Sequence, residues 1–176
     1  MASLNQTSNL SITQFPSTFD LESFLREEYL LMAHTLPQGM YLTPCVVDNI
    51  TKRWDGVIFV HSGPYESFNF KFKICFPQKR IHPTVIFPPK QVYHPLVDLN
   101  SGELCLSQIL SGIDVWQEAK MMILIKKIWD LFYDDSLAYT FHQSFTPNPE
   151  ALKLKKENLS RYFLKIKEHA SKYGQN

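Results

Sequence analysis

Phe68-Asn69-Phe70-Lys71-Phe72-Lys73-Ile74-Cys75-Phe76 decides the fold class. Apolar and polar residues alternate strictly as far as Ile74. Phe68, Phe70, Phe72 and Ile74 therefore share one face, while Asn69, Lys71 and Lys73 meet water. That is the pattern of a half-buried antiparallel strand. Upstream, residues 40–47 and 54–61 are apolar, aromatic or β-branched runs, separated by the turn-prone Asp48-Asn49 and Ser62-Gly63-Pro64. Downstream, residues 84–87 form a fourth short run between Pro83 and Pro88-Pro89. Residues 40–87 thus read as a four-stranded antiparallel meander.

On either side of the meander the period changes to that of a helix. Leu21, Phe24, Leu25, Leu31 and Met32 recur at helical spacing, with Glu22, Arg26 and Glu27 opposite. N-cap candidates fall between Ser17 and Asp20, so a helix is predicted over about 18–35, ending before Pro37-Gln38-Gly39. Residues 119–133 predict a second helix, buried and central because Met121 to Ile125 is apolar nearly all round. Asn148-Pro149-Glu150 places a cap and a first-turn proline, and so starts C-terminal helical structure. Its apolar stripe is expected to be Leu152, Leu159, Phe163, Ile166 and Ala170, with Lys153, Lys155, Lys156, Lys165, Lys167 and Lys172 on a solvated face. Residues 88–118 have almost no periodicity, and an irregular stretch of that length inside a compact domain is usually functional. The polar residues 1–16 predict a flexible lead-in and 17–176 a single α+β core domain.

Composition narrows the function classes. Of 176 residues, 44% are hydrophobic and 20% charged, enough apolar surface for a packed core. A net charge of +1 gives no positive field for nucleic acid. No apolar run approaches the ~18 residues of a membrane span. The first residues lack the basic and apolar regions of a secretory signal. The sequons at Asn5, Asn9, Asn49 and Asn158 are therefore expected to stay unmodified, in a cytoplasmic or nuclear protein. Cys45, Cys75 and Cys105 form no paired spacing, so no disulfide framework is expected. His34, His61, His82, His142 and His169 show no ligand spacing, and neither a metal nor a cofactor is expected.

The order of helix, meander, long irregular loop, buried helix and C-terminal helix resembles the ubiquitin-conjugating enzyme fold. Three segments carry the resemblance beyond topology. Phe76-Pro77 followed by Pro83-x-Val85-x-Phe87 resembles that family's proline-rich link into its last strand. Tyr93-His94-Pro95 resembles the start of its His-Pro-Asn motif, and Gly102-Glu103-Leu104-Cys105-Leu106 resembles the segment that carries its catalytic cysteine. A longer string narrows the match. Trp54-x-Gly56-Val57-Ile58-Phe59, Phe70-Lys71-Phe72, His94-Pro-Leu-Val-Asp98, Ser101-Gly-Glu-Leu104 and Asn148-Pro-Glu-Ala151 resemble the fused-toes subfamily, which includes the AKT-interacting and crossbronx proteins. That subfamily is generally regarded as variants lacking the catalytic cysteine.

The resemblance makes Cys105 the candidate acyl-carrying thiol, attacked in turn by a substrate lysine. Cys45 and Cys75 fall in predicted strands and are read as small buried residues. Four features oppose a working cycle. Leu96 stands where the motif has Asn, and loss of one oxyanion donor typically costs ~10²–10³ in rate. Cys105 follows His94 by one position more than in the motif. The first helix carries Asp20, Glu22, Glu27 and Glu28 against Arg26, where conjugating enzymes present basic charge to the activating enzyme. Gln117-Glu118-Ala119 and Ile81 depart from the ligase-binding pattern. His94 is read as structural, pinning backbone through its ring nitrogens. Asp134 and Asp135 stand roughly where the family keeps an acidic gate.

Two functions follow. One is a non-catalytic variant, a pseudoenzyme acting as a protein-binding adaptor in vesicle transport. Hook-type coiled-coil adaptors and their partner protein are candidate ligands by resemblance, and ubiquitin is another. The alternative is an active ubiquitin or ubiquitin-like conjugating enzyme forming a thioester on Cys105.

Overall fold

The computed structural model describes residues 20–47, 50–77, 82–117, 120–134 and 146–174. Several expectations fall outside them: the lead-in 1–16, the Asp48-Asn49 turn, Ile81, Glu118-Ala119 and Asp135. Among the described residues the elements run α1 (Leu21–Met32), β1 (Met40–Val47), β2 (Ile50–Phe59), β3 (Asn69–Cys75), β4 (Thr84–Ile86), α2 (Leu106–Ile109), α3 (Met121–Tyr133), α4 (Pro149–Glu157) and α5 (Leu159–Tyr173).

The sheet is the antiparallel meander β1-β2-β3-β4. Its alternation is as expected: Phe70, Phe72 and Ile74 are buried and Lys71 and Lys73 exposed. Met40, Leu42, Trp54, Ile58 and Val85 complete the inner face. Gly56 pairs with Phe72, and a Cβ there would enter the Phe72 ring, so this position has room only for glycine. β2 starts four residues before the expected 54. Thr51 explains part of this: its amide and hydroxyl both donate to the Glu22 carboxylate, at 2.5 and 2.7 Å, which lets a polar residue be buried. A bulge between Cys45 and Val46 accommodates the pairing there.

α1 is shorter than the expected 18–35. Asp20 caps it, accepting from the Glu22 amide at 3.1 Å, and Ala33 closes it. Leu25 and Met32 are buried, but Leu31, expected on the apolar stripe, is 56% exposed. Its place on the inner side is taken by Glu28, which is buried and accepts the Met121 amide at 3.1 Å. Glu28 so caps α3, whose own N-cap residue, Lys120, makes no side-chain capping bond. α3 fills the core as expected: Met121, Leu124, Ile125, Ile128, Leu131 and Phe132 are buried, and Phe132 stacks on Phe70 at 4.7 Å.

The C-terminal segment is two helices. Asn148 accepts from the Ala151 amide at 3.1 Å and starts α4 beside Pro149. Asn158, extended at φ −151° and ψ 85°, ends α4 and caps α5 by accepting from the Arg161 amide at 3.0 Å. The break rotates the stripe. Leu159 is exposed and Tyr162 buried, while Ile166 and Ala170 are buried as expected. Lys155, expected on the solvated face, is buried with its Nζ 5.7 Å from the Tyr162 ring centroid.

Candidate functional site

The irregular stretch after β4 is held by backbone bonds. Phe87 donates to Gly102 O at 2.9 Å, Leu104 to Val85 O at 2.9 Å, and Lys90 to Leu99 O at 2.8 Å. Val97 bridges Leu104, and the turn between them closes on Asp98. The Asp98 carboxylate accepts from the amides of Asn100 and Ser101, at 2.9 and 2.8 Å, and from the Ser101 hydroxyl at 3.0 Å. These bonds, the Ser101 amide first, hold its carboxyl below the usual carboxylate range. Gly102 sits at φ +76°, and a Cβ there would strike the Phe87 carbonyl.

This hairpin-like turn sets Cys105. Its amide donates to Leu96 O at 2.8 Å, so the extra residue between His94 and Cys105 does not detach the two strands of the loop. Cys105 is half-buried at the N-cap of the four-residue α2, outside any helix interior. Among the described residues its Sγ has one hydrogen-bond partner, the Ser107 hydroxyl at 3.4 Å. Cys45 and Cys75 are free and half-buried on the sheet, where full burial was expected.

His94 is buried. Its Nδ1 accepts from the Leu96 amide at 3.1 Å, which assigns the ring hydrogen to Nε2. Burial, and then the Lys155 cation, pushes its pKa down to about 3. The imidazole is neutral, enclosed and engaged with backbone. Leu96 is 0% exposed, so its side chain is committed to the core. Asp134 is exposed and closes α3, its amide donating to Asp130 O at 2.7 Å.

Three supports of the loop were missed in the sequence. The Tyr93 carbonyl accepts from the hydroxyls of Tyr65, at 2.8 Å, and Tyr162, at 3.5 Å. The Asn148 amide donates to Pro95 O at 3.2 Å, fastening the start of α4 to the His-Pro segment. Lys155 is the third. It lies four positions after Ala151 and three after Leu152, both buried, so helical periodicity could have placed it inward. Tyr93 itself has its phenol pKa pushed up to about 12, by burial first and then by the Glu150 carboxylate. Among the described residues no group of three or more His, Cys, Asp or Glu side chains could hold a metal ion. Nor is any described helix long and apolar enough to cross a membrane.

The profile of the family described as ubiquitin-conjugating enzyme matches residues 24–169. A protein AKTIP homolog from Nematostella vectensis is 30% identical over 155 residues, covering 85% of this chain and 48% of that protein. A protein crossbronx homolog from Anopheles gambiae is 31% identical over 162 residues, covering 84% and 67%. The AKT-interacting protein of Danio rerio is 29% identical over 169 residues, covering 94% and 54%. The chain thus spans about half to two thirds of the length of these relatives. It belongs to the ubiquitin-conjugating enzyme family, in the fused-toes branch with the AKT-interacting and crossbronx proteins.

Proposed function

We propose that this protein is a non-catalytic ubiquitin-conjugating enzyme variant whose 17–176 core works as a protein-binding adaptor. The observation that carries the reading is Leu96. At the position of the motif Asn there is an apolar side chain, buried and with nothing to donate to an oxyanion. The Cys105 thiol has only the Ser107 hydroxyl as a hydrogen-bond partner among the described residues, and His94 is neutral and enclosed. A thiolate nucleophile needs nearby positive charge or a base, and neither nitrogen of His94 reaches solvent as a general base would.

The acidic first helix supports the reading less than its sequence suggested. Asp20 is used as a cap, Glu22 binds Thr51 and Glu28 is buried on α3. What α1 offers a partner is Arg26, Glu27, Leu30 and Leu31. The relatives named AKT-interacting protein support a protein as the class of partner. Hook-type coiled-coil adaptors with their partner protein, in cytoplasmic vesicle transport, follow from the subfamily resemblance.

The second reading, a thioester-forming enzyme, rests on the Cys105 thiol itself. A charging reaction with activating enzyme, ATP and ubiquitin, run on non-reducing gels, separates the two. The adaptor reading expects no reducible adduct within minutes. A fast adduct, trapped as a stable ester by Cys105→Ser, would reassign the protein as an active conjugating enzyme.

A further inference from the structure

Charge is distributed unevenly along this chain. Residues 149–174, which hold α4 and α5, carry seven Lys or Arg against three Glu, a formal charge of +4 in a chain whose net charge is +1. The remaining residues therefore carry −3. Such an asymmetry turns one side of a protein towards anionic surfaces and the other away.

α5 displays the excess. Its inner side is Tyr162, Ile166 and Ala170, all buried. On the opposite side Arg161, Leu164, Lys167, Glu168 and Lys172 are exposed. Glu168, the one acid of this face, already holds Lys165 Nζ at 3.0 Å. Arg161 and the Glu150 carboxylate act on Tyr93 with opposite sign, so they offset one another. Glu157 has Lys153 one turn before it on α4. Lys167 and Lys172 have no carboxylate within ion-pair distance among the described residues. Lys90, from the loop after β4, joins them. Its carbonyl accepts from His169 Nδ1 at 2.8 Å, and its Nζ and that of Lys172 lie 5.9 and 5.2 Å from the Tyr173 ring centroid. Leu164 interrupts this polarity. It is 62% exposed at the centre of the face, and the residues on its line are the short Ser160, four positions before, and Ser171, seven after.

We infer that the outer face of α5 docks on a membrane surface that contains anionic phospholipid. Lys167, Lys172 and Lys90 meet the charged headgroups, and Leu164 enters the boundary between headgroups and acyl chains. The contact is peripheral, because the apolar stripe of α5 stays in the core. A membrane fits this face better than an acidic protein segment. The face is the convex side of a helix, with Lys167 to one side of Leu164 and Lys172 to the other. A plane reaches both flanks together, whereas an extended peptide follows one. The contact goes beyond the adaptor reading and does not depend on it.

The test is co-sedimentation of the full chain with vesicles of phosphatidylcholine containing about 30% phosphatidylserine. Binding to these is expected, falling as salt is added, and none to phosphatidylcholine alone. Each cation near such a surface contributes about fivefold, so Lys167→Gln with Lys172→Gln should bind about thirtyfold more weakly. Leu164→Asn should bind about tenfold more weakly. All three positions are exposed on α5, so the circular dichroism of the folded chain should not change. Lys71→Gln with Lys73→Gln removes the same charge from exposed positions of β3 and should bind like the unaltered chain. No binding to the anionic vesicles, equal binding to neutral ones, unchanged binding of Leu164→Asn, or an equal loss in the β3 pair would overturn the inference. So would tighter binding to a hexaglutamate peptide than to vesicles matched in charge, which would give the face to an acidic protein segment. The readout is lipid, whereas charging reads Cys105, so either result stands without the other.

Discussion

Leu96 shows how a single residue changes what a conserved-looking loop can do. The backbone around it is intact: its amide is pinned by His94, and its carbonyl holds Cys105. Only the side chain differs in kind from the motif, and it points into the core. Simple restoration is therefore expected to fail. In Leu96→Asn an amide replaces a fully buried apolar side chain, which should cost roughly 3 kcal/mol of stability from lost burial and an unpaired polar group. The variant should show a lower urea midpoint and still no rapid thioester. A Leu96→Asn protein that kept wild-type stability and gained charging would mean that the side chain turns outward and that one substitution separates the two functional states.

Elements in this protein are joined by groups that a sequence pattern does not rank. Glu28 is the clearest: a carboxylate on α1, buried, closing the N-terminus of α3 across 93 residues of chain. Glu28→Ala leaves the Met121 amide without this acceptor at a helix end and should cost roughly 2 kcal/mol. Glu28→Gln keeps an acceptor oxygen and should cost less, a difference that chemical denaturation measures directly. Equal losses would mean that packing volume, not the cap, sets the role of Glu28. The same case explains where periodicity succeeded and where it did not. The meander was legible because Phe70, Phe72 and Ile74 alternate with lysines, and α3 because its first half is apolar. Leu31, Leu159 and Lys155 were misplaced because a tertiary partner or a break in the helix reset the face: Glu28 turned inward on α1, and Asn158 split the C-terminal helix. In the candidate site, His94, Leu96 and Cys105 could be located from the motif. The tyrosine hydroxyls that converge on the Tyr93 carbonyl could not, since they come from 28 residues upstream and 69 downstream.

At the scale of the whole molecule, these buried groups set a window of pH in which the fold is most stable. His94 is neutral inside, with a pKa of about 3, against 6.5 for the unfolded chain. Between those values the unfolded state binds one more proton, so stability is complete above pH 6.5 and falls as pH drops towards 3. The slope approaches ~1.4 kcal/mol per pH unit for one proton. Asp98 and Asp20, both held below their ordinary value by hydrogen bonds, act in the same direction at lower pH. On the alkaline side Tyr93 has the opposite sign. Its folded pKa of about 12 lies above the unfolded 10, so the unfolded chain loses its proton first and stability falls as pH rises through that interval. Urea midpoints measured across the range should form a plateau between about pH 6.5 and 10 with a shoulder on each side. His94→Asn can keep an acceptor for the Leu96 amide and removes the titration, so it should flatten the acid limb above pH 4 whatever its effect on absolute stability. Tyr93→Phe deletes a buried hydroxyl that has no partner among the described residues. It should flatten the alkaline limb at little cost or with a small gain, because an unsatisfied group is removed along with its proton. An acid limb unchanged in His94→Asn would show that carboxylates alone govern acid unfolding and that the imidazole is more accessible to water than its burial implies.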